Sequence, residues 1–193
     1  MTYDFLVETY ETEIQKVLSV WAMFHDEDIH LRPHPDDARG RNLLEQMVHQ
    51  CVSENLWFST MLGIHVTDTP LPAREVRLEF MNTYANHAGQ RLARLKSQSE
   101  DWWSTVVPFF EVPRSRIAHT AHHRGQQTTL LRQINRPLHS TYGPTADTGG
   151  LMQHQAPVIY AYPDTATLLR EERGARAKTH LPPLATIPVT ERP

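Results

Sequence analysis

An all-α chain folded as a four-helix bundle with a Pro-rich C-terminal extension is what this sequence predicts, on three observations. Apolar residues recur at spacings of three and four in four separate segments of about 20 residues. Capping and turn residues stand where those segments begin and end. Of 14 prolines, eight lie at or after Pro137, where no long periodic segment follows. Four helices with one apolar face each have few compact solutions, and the simplest is a bundle. The expected organisation is therefore a bundle over residues 1–136 and an irregular extension over 137–193, packed on the bundle or on a partner subunit.

The first helix is expected over residues 4–25, from Phe5, Leu6, Tyr10, Ile14, Val17, Leu18, Trp21 and Phe24. The next segment, DEDIHLRPHPDDARGR, is acidic, holds two prolines and shows no period, so it reads as a long loop. Long loops in compact domains often border functional sites, which makes His30, Arg32, His34 and Arg41 candidates for a substrate mouth, or members of a solvated connection. The second helix runs from Asn42 to Leu62, with Asn42 as cap, Glu45 closing a capping box and Gly63 ending it. Its core stripe is Leu44, Met47, Val48, Cys51, Phe58 and Leu62. His49 falls on the other side with Glu45, Val52 and Leu56, where a second buried or half-buried face would have to receive it.

TDTPLPA is turn chemistry, after which Val76, Phe80, Tyr84, Ala88, Leu92 and Leu95 mark a third helix over about 73–98, with His87 on its flank. Trp102, Trp103, Val106, Val107, Phe109 and Phe110 are expected to form an apolar connection interrupted by Pro108. Pro113 suits the first turn of the fourth helix, which carries HTAHHRGQQTTLLRQI from His119 to Ile134. In the extension, residues 164–172 read as one short helix before Gly174. The GPTADTGG segment lacks the lysine and flanking strand of a phosphate loop, and VIYAY reads as an extended piece.

Composition narrows the function classes. The chain has 193 residues, 39% hydrophobic and 21% charged, with a formal net charge of -3. With no block of Lys or Arg, nothing offers a footprint for nucleic acid or an anionic membrane. No apolar run approaches membrane-spanning length, mean hydropathy is -0.50, and the acidic, amphipathic N-terminus is unlike a secretory signal, so a cytoplasmic location is expected. A single cysteine, Cys51, excludes an internal disulfide framework and points away from His49, as a core thiol would.

Chemistry concentrates on the fourth helix. His119, His123, Gln127, Leu130 and Ile134 form one stripe, and two imidazoles one turn apart can meet at one ion. With 12 histidines, a shuffled chain of this composition holds roughly 0.7 such pairs by chance, so spacing alone leaves a metal site and two solvated histidines both open. His30 and His34 have the same spacing in HLRPHP, where two prolines rule out a regular helix.

The segments EQMVHQCVSENLWFSTMLG on the second helix and HTAHHRGQ on the fourth, in this order, resemble the DinB/YfiT-like superfamily of metalloenzymes, with residues 5–135 covering that bundle. The resemblance implies an up-down-down-up bundle and one divalent metal ion, zinc or nickel, held by His49, His119 and His123. It also implies thiol-dependent transferase or isomerase chemistry on a small electrophile, with a low-molecular-weight thiol as co-substrate, and pairing as a homodimer. Three neutral imidazoles leave at least one coordination position open, as in catalytic sites, where a bound water or thiol loses its proton more easily. A metal-dependent hydrolase and a metal-binding, stress-related protein without catalysis are the alternatives. Around the ligands, Arg32, Arg41 and His122 are candidates for substrate contact. Glu45 reads either as an orienter of His49 or as a helix cap. Arg124, Gly125 and Gln126 complete the family-like HRGQ, and Gly125 is expected where helices pack closely.

Overall fold

The computed structural model describes residues 3–109, 112–138, 141 and 163–174. Among them are six α-helices, one 3-10 turn and no strand: α1 (Asp4–Met23), the turn (Asp26–Asp28), α2 (Leu43–Leu62), α3 (Arg77–Lys96), α4 (Glu100–Phe109), α5 (Val112–Gln133) and α6 (Thr165–Arg173). The fold is all-helical. The fourth of the sequence-predicted helices is α5.

Each of the four long helices leans on two others: α1 on α3 and α5, and α2 on the same pair. Their apolar stripes meet at Val17, Leu18, Trp21, Phe24, Met47, Phe80, Met81 and Leu131, all without solvent exposure. Phe5, placed on the α1 stripe by its spacing, is instead 55% exposed. The bounds of α2 follow from its ends. Asn42 accepts from the Glu45 backbone N–H at 2.8 Å, Glu45 accepts from the Asn42 N–H at 3.0 Å, and Gly63 closes the helix at φ 64.

Three expectations need correction. The apolar connection expected from Trp102 onward is itself a helix: α4 starts at Glu100, and the Ser99 hydroxyl accepts from the Trp102 N–H at 3.2 Å. Trp103 lies in the core, stacked on Tyr3 with ring centroids 5.8 Å apart. The second face of α2 is half-buried only at its N-terminal end, at Glu45 and His49, and turns outward at Val52 and Leu56, which are 40% and 56% exposed. The third helix is shorter than its pattern, beginning at Arg77 with Val76 extended and exposed.

Past α5, Asn135 adopts a left-handed conformation (φ 55), which short polar side chains tolerate better than most. Arg136 then grips Asp28 with two parallel hydrogen bonds of 2.9 and 2.8 Å, tying the end of α5 to the 3-10 turn. The short helix read from Asp164 onward is α6, capped by the Asp164 carboxylate. It packs on α1 and α3, with Leu168 in the core and Glu172 paired to the buried Arg77. VIYAY and GPTADTGG lie outside the described residues.

Candidate metal centre

Two polar ties fix the rotation of α5 about its axis. Arg124, buried, pairs with Glu13 of α1, whose other carboxylate oxygen accepts from Lys16 at 2.9 Å. Gln127, fully buried, donates to Gln50 of α2 at 2.7 Å. Both contacts lie within the turn that follows His123 in the chain, so the stretch of helix that carries its ring is held against α1 and α2 together. His119 follows one turn earlier on the same stripe.

The structure brings His49, His119 and His123 together. The Nε2 atoms of His49 and His119 lie 3.4 Å apart, and those of His119 and His123 lie 3.1 Å apart. One ligating nitrogen from each of the three rings falls within 4.8 Å of the others. For metal–nitrogen bonds of about 2.05 Å at a tetrahedral angle, two ligand nitrogens sit about 3.3 Å apart, so these spacings suit one shared ion. A hydrogen-bonded account is poorer. The single in-plane site on His119 Nε2, whether N–H or lone pair, cannot serve both neighbours well at once.

Burial, foremost, and then the neighbouring His119, His49 and His122 and the Arg41 guanidinium lower the His123 pKa to about 3. The ring is therefore neutral at physiological pH, which is the form that ligates. Its Nδ1 is buried and has no hydrogen-bond partner among the described residues, so packing, not an accepting group, orients it. The donor set and its spacing fit a divalent cation, as does the neutral His123 ring.

His49 and His119 are half-buried and His123 is 3% exposed, at the base of a cleft of about 500 Å³. Residues of the α1–α2 loop, Pro33 and Arg39 to Arg41, form one rim, with Gln46 beside them on α2. His122 and Gln126 of α5 form the other. His122, exposed, thus borders the cleft but stands off the three-ring cluster, its ring centroid 5.4 Å from that of His123.

Arg32 does not line the cleft. Its guanidinium is committed to Glu45 at 2.5 Å and to the carbonyls of Gly40 and Ala38 at 2.9 and 3.3 Å, and so braces the loop. Glu45, held by Arg32 and by its capping box, serves as a helix cap and loop anchor. Gly125 is not a site of close helix packing: it is exposed, and a Cβ there meets nothing within 4 Å. Cys51 is buried, its thiol pushed up to about 12 by burial and by Glu54, and it stands outside the three-ring cluster.

Sequence patterning missed a buried polar row on α2, Gln46, Gln50 and Glu54. Glu54 accepts from Tyr10 at 2.5 Å and Tyr84 at 3.1 Å, and pairs with Arg91 at 3.3 Å. Hydrophobic periodicity assigns such residues outward, and the partners of Gln50 and Glu54 come from other helices while that of Gln46 is a loop carbonyl. Their only sequence signal is the i, i+4 recurrence of polar residues within an otherwise apolar helix.

No curated protein and no solved structure matches the chain. The family model that does match, described as the DinB family, spans residues 3–149 and so takes in all three histidines and both helices that carry them. The chain belongs to the DinB family.

Proposed function

We propose that this protein is a divalent-metal-dependent enzyme transferring a thiol to a small electrophile, with His49, His119 and His123 as the metal ligands and zinc or nickel as the metal. The observation that carries this reading is the convergence of three imidazoles at the base of an open cleft. When bound, a divalent cation supplies Lewis acidity, lowering the pKa of a water or thiol toward neutrality. Three protein donors leave a coordination place for a reactant, unlike the four-donor closed sites of structural zinc. The protein's own part is to hold the three rings in register through the Arg124–Glu13 and Gln127–Gln50 ties and to admit reactants along the cleft.

For the architecture, we propose an up-down-down-up bundle of α1, α2, α3 and α5, supported by the closed set of contacts among them. A homodimer is the proposed assembly. The exposed, one-turn-apart Val52 and Leu56 on α2 support it, and light scattering would report a dimeric mass.

The test is metal analysis of protein purified without a polyhistidine tag, followed by a screen of glutathione, bacillithiol and mycothiol against electrophiles. One equivalent of metal and thiol-dependent turnover are expected in the wild type, and both are lost in His123→Ala. Full turnover in the metal-free variant overturns the reading, and stoichiometric metal without turnover under any thiol leaves a binding protein.

A further inference from the structure

The cleft above the three histidines carries a charge pattern that the metal reading does not use. No aspartate or glutamate lines it among the described residues, whereas Arg39 and Arg41 do, in a chain whose formal net charge is -3. The nearby carboxylates are engaged elsewhere. Asp37 is held by the Arg39 Nε at 2.8 Å, and Glu45 by Arg32 and the helix cap. Arg41 differs from both other arginines of the loop: among the described residues no carboxylate oxygen lies within ion-pair distance of its guanidinium, Glu45 acting on it only at longer range, and it lines the cleft. The segment that presents it is braced, since Arg32 holds the Gly40 carbonyl and the Gln46 amide donates to the Arg41 carbonyl at 3.3 Å.

An exposed arginine is ordinarily a solvated charge. One on a braced backbone, at the rim of a cleft without acids among the described residues and facing a cluster of imidazoles, is a preset seat for an anion. A single open guanidinium matches the planar two-oxygen edge of a carboxylate, while a phosphate dianion calls for more donors than this rim provides. We infer that the substrate-binding cleft selects a small organic carboxylate, seated on Arg41 across from the three histidines, with Arg32 as the positioning residue that holds the loop. This rests on the proposed metal site, and it adds the chemical class of the reactant.

The experiment uses the full chain loaded with cobalt(II), whose near-ultraviolet thiolate absorption reports thiol binding apart from any turnover. N-acetylcysteine and N-acetylcysteine amide are titrated as probes, the same thiol with and without a carboxylate. The acid is expected to bind about tenfold more tightly in the wild type, and Arg41→Gln to bring the two together. Arg41→Lys should recover part of the preference, and Arg39→Gln should change it little, its guanidinium being already paired. An acid preference that survives Arg41→Gln is chelation by the cobalt and overturns the seat. Equal binding of acid and amide to stoichiometrically loaded wild type overturns it too, while leaving the metal site standing. Failure of the wild type to take up cobalt removes both. Displacement of N-acetylcysteine by equimolar inorganic phosphate assigns the seat to phosphate and overturns the carboxylate.

Discussion

Gly125 stands two residues after a proposed ligand, exposed, in the middle of α5, with open space where a side chain would go. The helix therefore carries the conformational cost of glycine without a packing reason for it. Gly125→Ala is expected to raise stability by about 1 kcal/mol in urea unfolding, with metal content unchanged. A loss of stability would show that the glycine answers a constraint other than space. Cys51 offers a second check at this scale. With its thiol buried and pushed up to about 12, it should resist a thiol reagent at pH 8 in the native state and react at once in denaturant. Single residues were legible where chemistry is local. Asn42, Glu45 and Gly63 announce their roles within a few positions of themselves. Arg32 did not, because its partners at Gly40 and Glu45 come together only when the loop folds back.

Among the elements, α5 is held against α1 by one buried ion pair, Glu13 with Arg124. Glu13→Gln takes the carboxylate from a buried guanidinium and is expected to cost about 3 kcal/mol, measured by chemical denaturation, together with a loosened metal site. The end of α5 has its own dependence on acidity. Burial pushes the Asp28 carboxyl up, but Arg136 and the His25 N–H outweigh it and hold the carboxyl below its ordinary value. A depressed native value means the unfolded chain binds more protons, so this stabilisation is complete above the unfolded pKa of about 3.9 and fades as pH falls below it. Wild-type stability should accordingly drop more steeply between pH 5 and pH 3 than that of Arg136→Gln; equal slopes would remove the pair from the acid response. Of the helices, α2 was readable to the residue and α4 was not. Pro108 and the crowded apolar residues suggested a broken segment, although Ser99 followed by Glu100 and Asp101 is a cap with an acidic first turn.

For the molecule as a whole, the proposed ion joins α2 to α5 across some seventy residues of chain. Anything that binds the folded form alone stabilises it, by about 2.7 kcal/mol at a hundred times the dissociation constant. Zinc should therefore raise the wild-type Tm and leave that of His49→Ala unmoved; an equal rise in both would place the ion elsewhere. The third ring shows where reading from sequence ends. Periodicity set His119 and His123 on one stripe but turned His49 away from the core, and the order of motifs, not the apolar pattern, supplied it. The structure reconciles the two, since the cluster lies beside the core in a cleft where a half-buried flank is what is needed. The loop from the 3-10 turn to α2 has a consequence of its own. The ring-bearing residues stand on helices, whereas the cationic rim stands on a braced connection that contributes no ring to the cluster. On the proposed reading, reactant choice can thus drift across descendants by exchanging a handful of loop positions, while ion retention is inherited intact.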